Sequence, residues 1–145
     1  SYYGIVPEGR RVTVVGRSLL AGKTIALAFL NSNATVTVCH KFTRNLSEVT
    51  KTAEILIVAT GHPRLIGKEH VSRGQIVVDV GISFSSGEKL AEELVAPQLV
   101  GDVDFEGVRG IVDALSPVPG GVGPMTVRSL FENLLDATER QTRAP

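Results

Sequence analysis

A segment from Gly16 to Gly22 follows the first apolar run of the chain, and its residues are suited to binding a phosphate group. Gly16 permits a sharp turn of the backbone, and Gly22 permits the next helix to approach the strand or a ligand closely. The Arg17 guanidinium and the Ser18 hydroxyl can bond to phosphate oxygens, while N–H groups at a helix N-terminus attract an anion. The segment therefore predicts a phosphate-binding turn. The alternative is a strand–helix turn whose glycines serve geometry alone.

The same segment matches neither of the two common glycine motifs that bind phosphate. Gly22-Lys23-Thr24 has the ending of a P-loop, but Gly16 lies one residue too far upstream of Gly22. The Gly-x-Gly-x-x-Gly pattern of dinucleotide-binding folds is missing at this place as well. The identity of the ligand therefore depends on residues elsewhere in the chain.

The end of the second apolar run carries fixed cations and no carboxylate. Lys41 and Arg44 lie within residues 39–44 (CHKFTR), where enzymes selective for NAD carry Asp or Glu to accept from the ribose 2′-hydroxyl. Cations at that place attract a 2′-phosphate, so Lys41, together with Arg17 and Ser18, favours NADP as the cofactor. The alternative is a basic loop that is merely solvated.

Three further features of the loops concern possible contacts with a cofactor or a metal. Gly61 and Gly81 follow the third and fourth apolar runs, where the backbone would pass close to a cofactor. His62 is interpreted either as a polar contact of that cofactor or as an exposed loop residue. Cys39 and His40 lack a second cluster of ligands that would complete a metal site. No metal is therefore expected, and Cys39 is predicted to be a small buried residue at a strand end.

The elements that would position these residues alternate between strands and helices. Predicted strands cover Arg11–Val15, Thr35–Cys39, residues 55–59, residues 75–80 and a short run at 111–115. Predicted helices cover residues 21–31, 45–52 with Asn45 as N-cap, 67–71 and about 124–140. Residues 83–99 interrupt this alternation of strands and helices, and we expect them to form a surface segment with a hairpin.

The nearly continuous apolar character of these strands is typical of a sheet covered on both faces. Strands that alternate with helices predict an α/β fold of Rossmann type, with a doubly wound, mostly parallel sheet and helices on both faces.

The overall composition excludes several other classes of protein. A chain of 145 residues suits one domain, and its 15 basic and 15 acidic residues cancel, which gives no indication of nucleic-acid binding. No apolar run approaches the roughly 18 residues that a membrane span needs. The single cysteine excludes an internal disulfide and fits a reducing compartment.

Five segments resemble, in order, the methylenetetrahydrofolate dehydrogenase/cyclohydrolase family. They are VVGRS (residues 14–18), TVTVCH (35–40), VDVGI (78–82), VGDVDF (100–105) and SPVPGGVGPMT (116–126). The last is long and unusual, and the resemblance covers nearly the whole chain. It implies a protein that oxidises 5,10-methylenetetrahydrofolate to the methenyl form, usually with NADP, and then hydrolyses the product to 10-formyltetrahydrofolate.

The resemblance also implies roles for particular residues. By resemblance the cofactor-binding residues would be Gly16, Arg17, Ser18, Lys41 and Ile82, with Arg17 and Ser18 near the 2′-phosphate. The residue pattern itself adds Gly22 and Gly61 to this set. The loop on the folate and nicotinamide side would consist of Pro119, Gly120, Gly121, Val122, Gly123 and Pro124. We expect Pro117–Thr126 to project from the carboxyl end of the sheet, beside the Gly16–Ser18 turn. Lys41 stands where relatives carry Ser or Arg. Thr24 and Ser83 depart from the usual Pro and Asn, and residues 83–99 form a longer link than is usual in the family.

The catalytic lysine and tyrosine of the family lie in an N-terminal folate-binding domain. None of the five lysines of this chain has the Tyr-x-x-x-Lys context of that site. We therefore expect residues 1–145 to form a single NAD(P)-binding domain without catalytic residues, which meets folate only in the presence of the other domain. The resemblance implies a homodimeric parent enzyme in the cytoplasm, or alternatively in the mitochondrial matrix. A non-catalytic NADP-binding module is the competing hypothesis.

Overall fold

Five parallel strands form the central sheet of the structure, a computed structural model that describes residues 3–85 and 98–142. In chain order the strands are β1 (Arg11–Val15), β2 (Thr35–Cys39), β3 (Ile55–Val58), β4 (Ile76–Asp79), β5 (Ser83–Ser85), β6 (Gln98–Val100) and β7 (Ala114–Leu115). The central sheet has the order β2-β1-β3-β4-β7, and β5 pairs with β6 in a separate antiparallel sheet. The chain thus winds outward from β1 in both directions, which confirms the predicted doubly wound α/β fold.

Within residues 3–85 and 98–142, four α-helices connect or follow these strands. They are α1 (Thr24–Asn31), α2 (Leu46–Lys51), α3 (Phe105–Val108) and α4 (Val122–Thr142). A single π-helical turn, Leu19–Lys23, leads directly into α1, and a 3-10 turn covers Lys68–His70. Among the described residues, no helix combines the length and the apolar character needed to cross a membrane.

Alternate residues of the inner strands pack on opposite faces of the sheet. On one face Leu56, Val58 and Val77 form a core layer with Val108 of α3, and side chains of α2 pack against it. On the other face Val12, Val14, Ile55 and Ile57 pack with Ala26 of α1. Because each inner strand contributes apolar residues to both layers, its sequence is nearly continuous in apolar residues, as predicted.

The second strand is less covered than its sequence predicted. β2 lies at the edge of the sheet, and Thr35, Thr37 and Val38 are exposed. Val36 of β2 packs in the layer that contains Ala26 of α1, whereas Thr35 and Thr37 point to the opposite face, since successive strand residues alternate between faces. The prediction that all four runs are covered on both faces was therefore wrong for β2.

Several predicted boundaries also differ from the observed ones. The predicted strand at 111–115 is reduced to β7, and the predicted helix at 67–71 is the 3-10 turn. Asn45 holds the N-cap position of α2, but its backbone is left-handed and its side chain donates to Glu48 Oε2 at 3.2 Å rather than accepting from the helix. The predicted hairpin at 83–99 is present as the β5–β6 pair, and residues 86–97 lie outside the described residues.

Candidate functional site

A cleft of about 440 Å³ lies at the carboxyl ends of β1, β2 and β3, and we call it the β1–β3 cleft. It is lined by Val15, Gly16, Arg17, Ser18, His40, Lys41, Thr43, Leu46, Ala59, Thr60, His62 and Leu65. Parallel strands present their connecting loops at this edge, and ligands of doubly wound sheets bind there. The cleft therefore combines the expected location with the residues expected to bind phosphate.

The turn after β1 is packed tightly against the loop after β3. Gly16 is buried with a φ of +118°, and a Cβ at this position would overlap the carbonyl of Ala59. Its N–H donates to the Cys39 carbonyl at 2.8 Å, which joins the turn to the end of β2. Any side chain at Gly16 would thus meet both backbone strain and an occupied space.

Ser18 organises the π-helical turn that follows. Its Oγ accepts from the N–H groups of Ala21 and Gly22, at 3.3 Å each, and its carbonyl accepts from Lys23 N at 3.0 Å. Gly22 is buried where a Cβ would overlap the Gly16 carbonyl. Because a hydroxyl also has a proton to donate, Ser18 can cap the turn and still donate to an anion in the cleft.

Two exposed cations face this cleft. Among the described residues, Arg17 has no hydrogen-bond or ion-pair partner, and Lys41 Nζ lies 4.9 Å from the centroid of the Phe42 ring. None of the residues that line the cleft is a carboxylate. The charge distribution therefore fits a phosphate group and disfavours a ligand that requires an acidic partner.

Beneath the cleft, a buried carboxylate holds the loop after β3. Asp102 is fully buried, and its Oδ2 accepts from Thr60 N at 2.6 Å, Thr60 Oγ1 at 2.9 Å and Gly61 N at 2.8 Å. In the described part of the chain, its Oδ1 is buried without a hydrogen-bond partner. All hydrogen bonds that this carboxylate accepts therefore come from the loop after β3.

A second buried carboxylate, Asp79 at the end of β4, holds the backbone around Asp102. Its Oδ1 accepts from Gly81 N at 2.9 Å and Asp102 N at 3.1 Å, and its Oδ2 accepts from Val103 N at 2.9 Å. Burial raises the pKa of Asp79, the three N–H donors oppose that shift, and the nearby Asp102 adds to it. The two carboxylates thus connect the loops after β3 and β4.

A second cleft of about 260 Å³ lies beside β4 and the segment before α4, and we call it the β4–α4 cleft. Its lining residues include Asp79, Val80, Gly81, Ile82, Leu99, Thr126 and all residues from Pro117 to Pro124. The segment from Pro117 onward leaves the carboxyl edge of the sheet after β7, as the sequence predicted. However, β3 and β4 separate β1 from β7, so this segment does not border the Gly16–Ser18 turn.

The structure divides the residues predicted to bind a cofactor between these two clefts. Gly16, Arg17, Ser18 and Lys41 line the β1–β3 cleft, with Gly22 packed behind the Gly16 carbonyl. Gly61 is exposed between the lining residues Thr60 and His62. Ile82 lies instead in the β4–α4 cleft, together with the predicted loop of Pro119, Gly120, Gly121, Val122, Gly123 and Pro124.

Sequence reasoning assigned no role to Asp79, Asp102 or Thr60. Each aspartate stands between apolar residues, in VVDVG and VGDVD, and an acidic residue in such a buried context needs hydrogen-bond partners. That signal was available in the sequence, but the partners are backbone N–H groups of distant loops and are not visible in it. Cys39 is buried, as predicted, and burial raises the pKa of its thiol.

Comparison with known proteins identifies the domain. A family model described as "Tetrahydrofolate dehydrogenase/cyclohydrolase, NAD(P)-binding domain" matches residues 1–142. The "Bifunctional protein FolD" of Dictyoglomus turgidum is 49% identical over 139 residues, which are 96% of this chain and 46% of the relative. The chain therefore spans about half the length of such relatives.

Solved structures agree with this match. The bifunctional FolD dehydrogenase/cyclohydrolase of Campylobacter jejuni superposes with a TM-score of 0.85 at 41% identity, covering 97% of this chain and 46% of that one. The Trypanosoma brucei FolD, solved in complex with NADP cofactor and inhibitor, gives a TM-score of 0.88 at 36% identity, covering 99% and 48%. These matches confirm the resemblance inferred from the motifs: the chain belongs to the family of tetrahydrofolate dehydrogenase/cyclohydrolase NAD(P)-binding domains.

Proposed function

We propose that this chain is the NADP-binding domain of an enzyme that oxidises 5,10-methylenetetrahydrofolate and hydrolyses the methenyl product. The observation that carries the proposal is the β1–β3 cleft, where Arg17, Ser18 and Lys41 surround a space without carboxylates. The Trypanosoma brucei relative, which was solved with NADP, supports the same choice of cofactor.

In this proposal the residues of the β1–β3 cleft bind the adenosine end of NADP. Arg17 and Lys41 neutralise the 2′-phosphate, which carries close to two negative charges near neutral pH. Ser18 donates its hydroxyl proton while its oxygen caps the π-helical turn. Gly16 and Gly22 keep the backbone of the turn close-packed and add no side chain of their own to the space that the cofactor would occupy.

The β4–α4 cleft would receive the reacting end of the cofactor and the folate. When bound, the nicotinamide supplies the hydride acceptor. Ile82 and the segment from Pro119 to Pro124 would orient the two reacting groups and exclude water, because correct orientation supplies much of an enzyme's rate acceleration. No described residue of this cleft is assigned a covalent or proton-transfer role.

The remaining half of the family's length would supply the folate site and the catalytic lysine. This chain covers 46% of the Dictyoglomus turgidum relative, which supports the proposal that residues 1–145 form only the cofactor domain. The apolar stripe of α4, exposed along Leu130, Phe131 and Leu134, supports a further domain packing there. Family resemblance supports a homodimeric enzyme in the cytoplasm or the mitochondrial matrix.

The experiment is a calorimetric titration of the chain with NADP and with NAD at fixed salt. Arg17→Ala should weaken NADP binding about tenfold, since about 1.4 kcal/mol corresponds to one decade in affinity, and leave NAD binding nearly unchanged. Lys41→Asp should weaken NADP further through repulsion and shift the preference towards NAD.

Arg109→Ala is the matched control, because Arg109 is an exposed arginine on the C-terminal side of α3 that pairs with Glu106. It should leave both affinities unchanged. Equal losses of NAD and NADP affinity in Arg17→Ala would show that Arg17 does not contact the 2′-phosphate. A wild-type preference for NAD would overturn the cofactor assignment.

A further inference from the structure

The loop after β3 forms one wall of the β1–β3 cleft. Its ends are held by backbone hydrogen bonds from Ala59 N to the Val15 carbonyl and from Arg64 N to the Gly101 carbonyl, but its tip has few constraints of its own. Thr60 and His62 line the cleft, and Gly61 between them is exposed with a φ of +70°. Within the loop, Thr60 Oγ1 accepts from His62 N at 3.1 Å, and His62 Nδ1 lies 3.0 Å from the Thr60 carbonyl oxygen. These local bonds connect the loop to itself and do not fix it to the sheet.

The side chain of Asp102, which lies beneath the loop, holds it in place. A single carboxylate oxygen, Oδ2, accepts both N–H groups of Thr60 and Gly61 as well as the Thr60 hydroxyl. Asp102 is not among the residues that line either cleft, and its side chain is fully buried. It therefore acts on the cleft only through the loop that it holds.

Asp102 is itself held in place by close packing. Asp79 accepts from the N–H of Asp102, and a Cβ on Gly101 would overlap Asp79 Oδ2. A Cβ on Gly81 would overlap the carboxylate of Asp102. Each carboxylate thus occupies the space that a side chain would take at a glycine beside the other one, so a small shift of either is resisted by backbone.

We propose that Asp102 is a positioning residue for dinucleotide binding: with Asp79 behind it, its carboxylate holds the Thr60–His62 loop in the shape that accepts the part of the cofactor common to NAD and NADP. The inference rests on the proposed cofactor domain. This role differs from that of Arg17, because in the proposal the Thr60–His62 loop does not contact the 2′-phosphate. Loss of the Asp102 side chain should accordingly weaken the binding of NAD and the binding of NADP by the same factor.

A matched control exists at the opposite edge of the sheet. Gln75 is also a buried polar residue whose side chain makes three hydrogen bonds: its Nε2 donates to the carbonyls of Thr50 in α2 and of Ala53 at 2.8 and 2.7 Å, and its Oε1 accepts from Ser72 N at 2.8 Å. It precedes β4, whereas the β1–β3 cleft lies where strands end. Gln75→Ala should therefore lower thermal stability without changing cofactor affinity.

The test compares Asp102→Ala with Gln75→Ala in calorimetric titrations with NADP and NAD, at a temperature where circular dichroism shows both variants folded. Asp102→Ala should lower the affinity for both cofactors about tenfold, equivalent to about 1.4 kcal/mol. Gln75→Ala should leave both affinities unchanged. Unchanged affinities in folded Asp102→Ala, or a loss confined to NADP, would overturn the proposal. If the wild type binds neither cofactor, the proposed function itself fails, which is a separate outcome.

Thr60 provides a second pair of variants that keeps the proposal testable if Asp102→Ala does not fold. Thr60→Val removes the hydroxyl bond to Asp102 at nearly constant shape, and Thr60→Ser retains it. Thr60→Val should weaken NAD and NADP equally, by a smaller factor than Asp102→Ala, and Thr60→Ser should restore wild-type affinity. Where Asp102→Ala folds, the double variant Asp102→Ala with Thr60→Val should lose no more cofactor affinity than Asp102→Ala alone, because both changes break the same contact. Equal affinities for Thr60→Val and the wild type would contradict the mechanism.

Discussion

The turn after β1 and the segment before α4 both leave the carboxyl edge of the sheet, yet they are packed to very different degrees. Gly16 is buried, and a side chain there would overlap the Ala59 carbonyl. Gly120 before α4 and Gly123 in its first turn have no heavy atom within 4 Å of an added Cβ, although a Cβ on Gly121 between them would overlap the Pro117 carbonyl. Beyond them, residues 124–142 of α4 are all exposed.

The difference indicates which part of the site is complete within this chain. Contacts among β1, β2 and β3, together with Asp102 beneath the loop after β3, fix the shape of the β1–β3 cleft. The β4–α4 cleft is closely packed where Gly81 lies against Asp102 and Gly121 lies against the Pro117 carbonyl, but among the described residues α4 is exposed from Pro124 onward. We therefore expect cofactor affinity to depend on this chain alone and turnover to depend on a second domain.

The largest expected effect concerns turnover. The 145-residue chain should oxidise no 5,10-methylenetetrahydrofolate above background at saturating folate and NADP, because none of its five lysines has the Tyr-x-x-x-Lys context of the family's catalytic site. Absorbance of the methenyl product measures the reaction, with a full-length family member as positive control. Robust turnover by the chain alone would remove the distinction between the two clefts.

The next effect concerns the packing of the two loops. Gly16→Ala should lower the free energy of unfolding by roughly 3 kcal/mol, through left-handed backbone strain and overlap with Ala59, and should weaken NADP binding. Gly123→Ala, near the start of α4, should leave stability unchanged or raise it by up to about 1 kcal/mol, since alanine suits a helix better than glycine. Urea denaturation of both variants measures the difference. Similar losses of unfolding free energy in both would show that the turn after β1 and the first turn of α4 are equally constrained.

The smallest effect should come from the exposed stripe of α4. Leu130 is 66% exposed and Leu56 is 0% exposed. In the 145-residue chain, Leu130→Ala should change the unfolding free energy by no more than about 0.5 kcal/mol, whereas Leu56→Ala should cost about 2–5 kcal/mol. Chemical denaturation checks both values. A loss above about 2 kcal/mol in Leu130→Ala would mean that the chain itself covers α4.

Sequence periodicity predicted the inner sheet well because burial on both faces leaves a strong local signal. β1 was predicted with its observed bounds, and β3 and β4 to within one residue at each end. The four-residue helix α3 was missed, since it is too short for a helical period and contains Gly107. The π-helical turn before α1 was missed as well, because it depends on Gly22 packing against a carbonyl six residues earlier.

The candidate site was predictable where its chemistry lies next to a strand end. Arg17, Ser18 and Lys41 each follow the carboxyl end of a parallel strand, so topology alone brings them to one edge. The assignment of Ile82 to the same group depended on resemblance, and the structure places it in the other cleft. Asp102 was not assigned because its partners are 41 and 42 positions away along the chain.

The buried thiol of Cys39 gives this edge of the sheet a built-in kinetic reporter. The carbonyl of Cys39 accepts the N–H of Gly16, so we expect a fluctuation that separates the end of β2 from the turn after β1 to open the β1–β3 cleft and to expose the sulfur. With a single cysteine in the chain, the rate of labelling by a thiol reagent reports the frequency of that opening. A cofactor bound across the two strand ends would slow labelling in proportion to its occupancy, without a substitution or an attached dye.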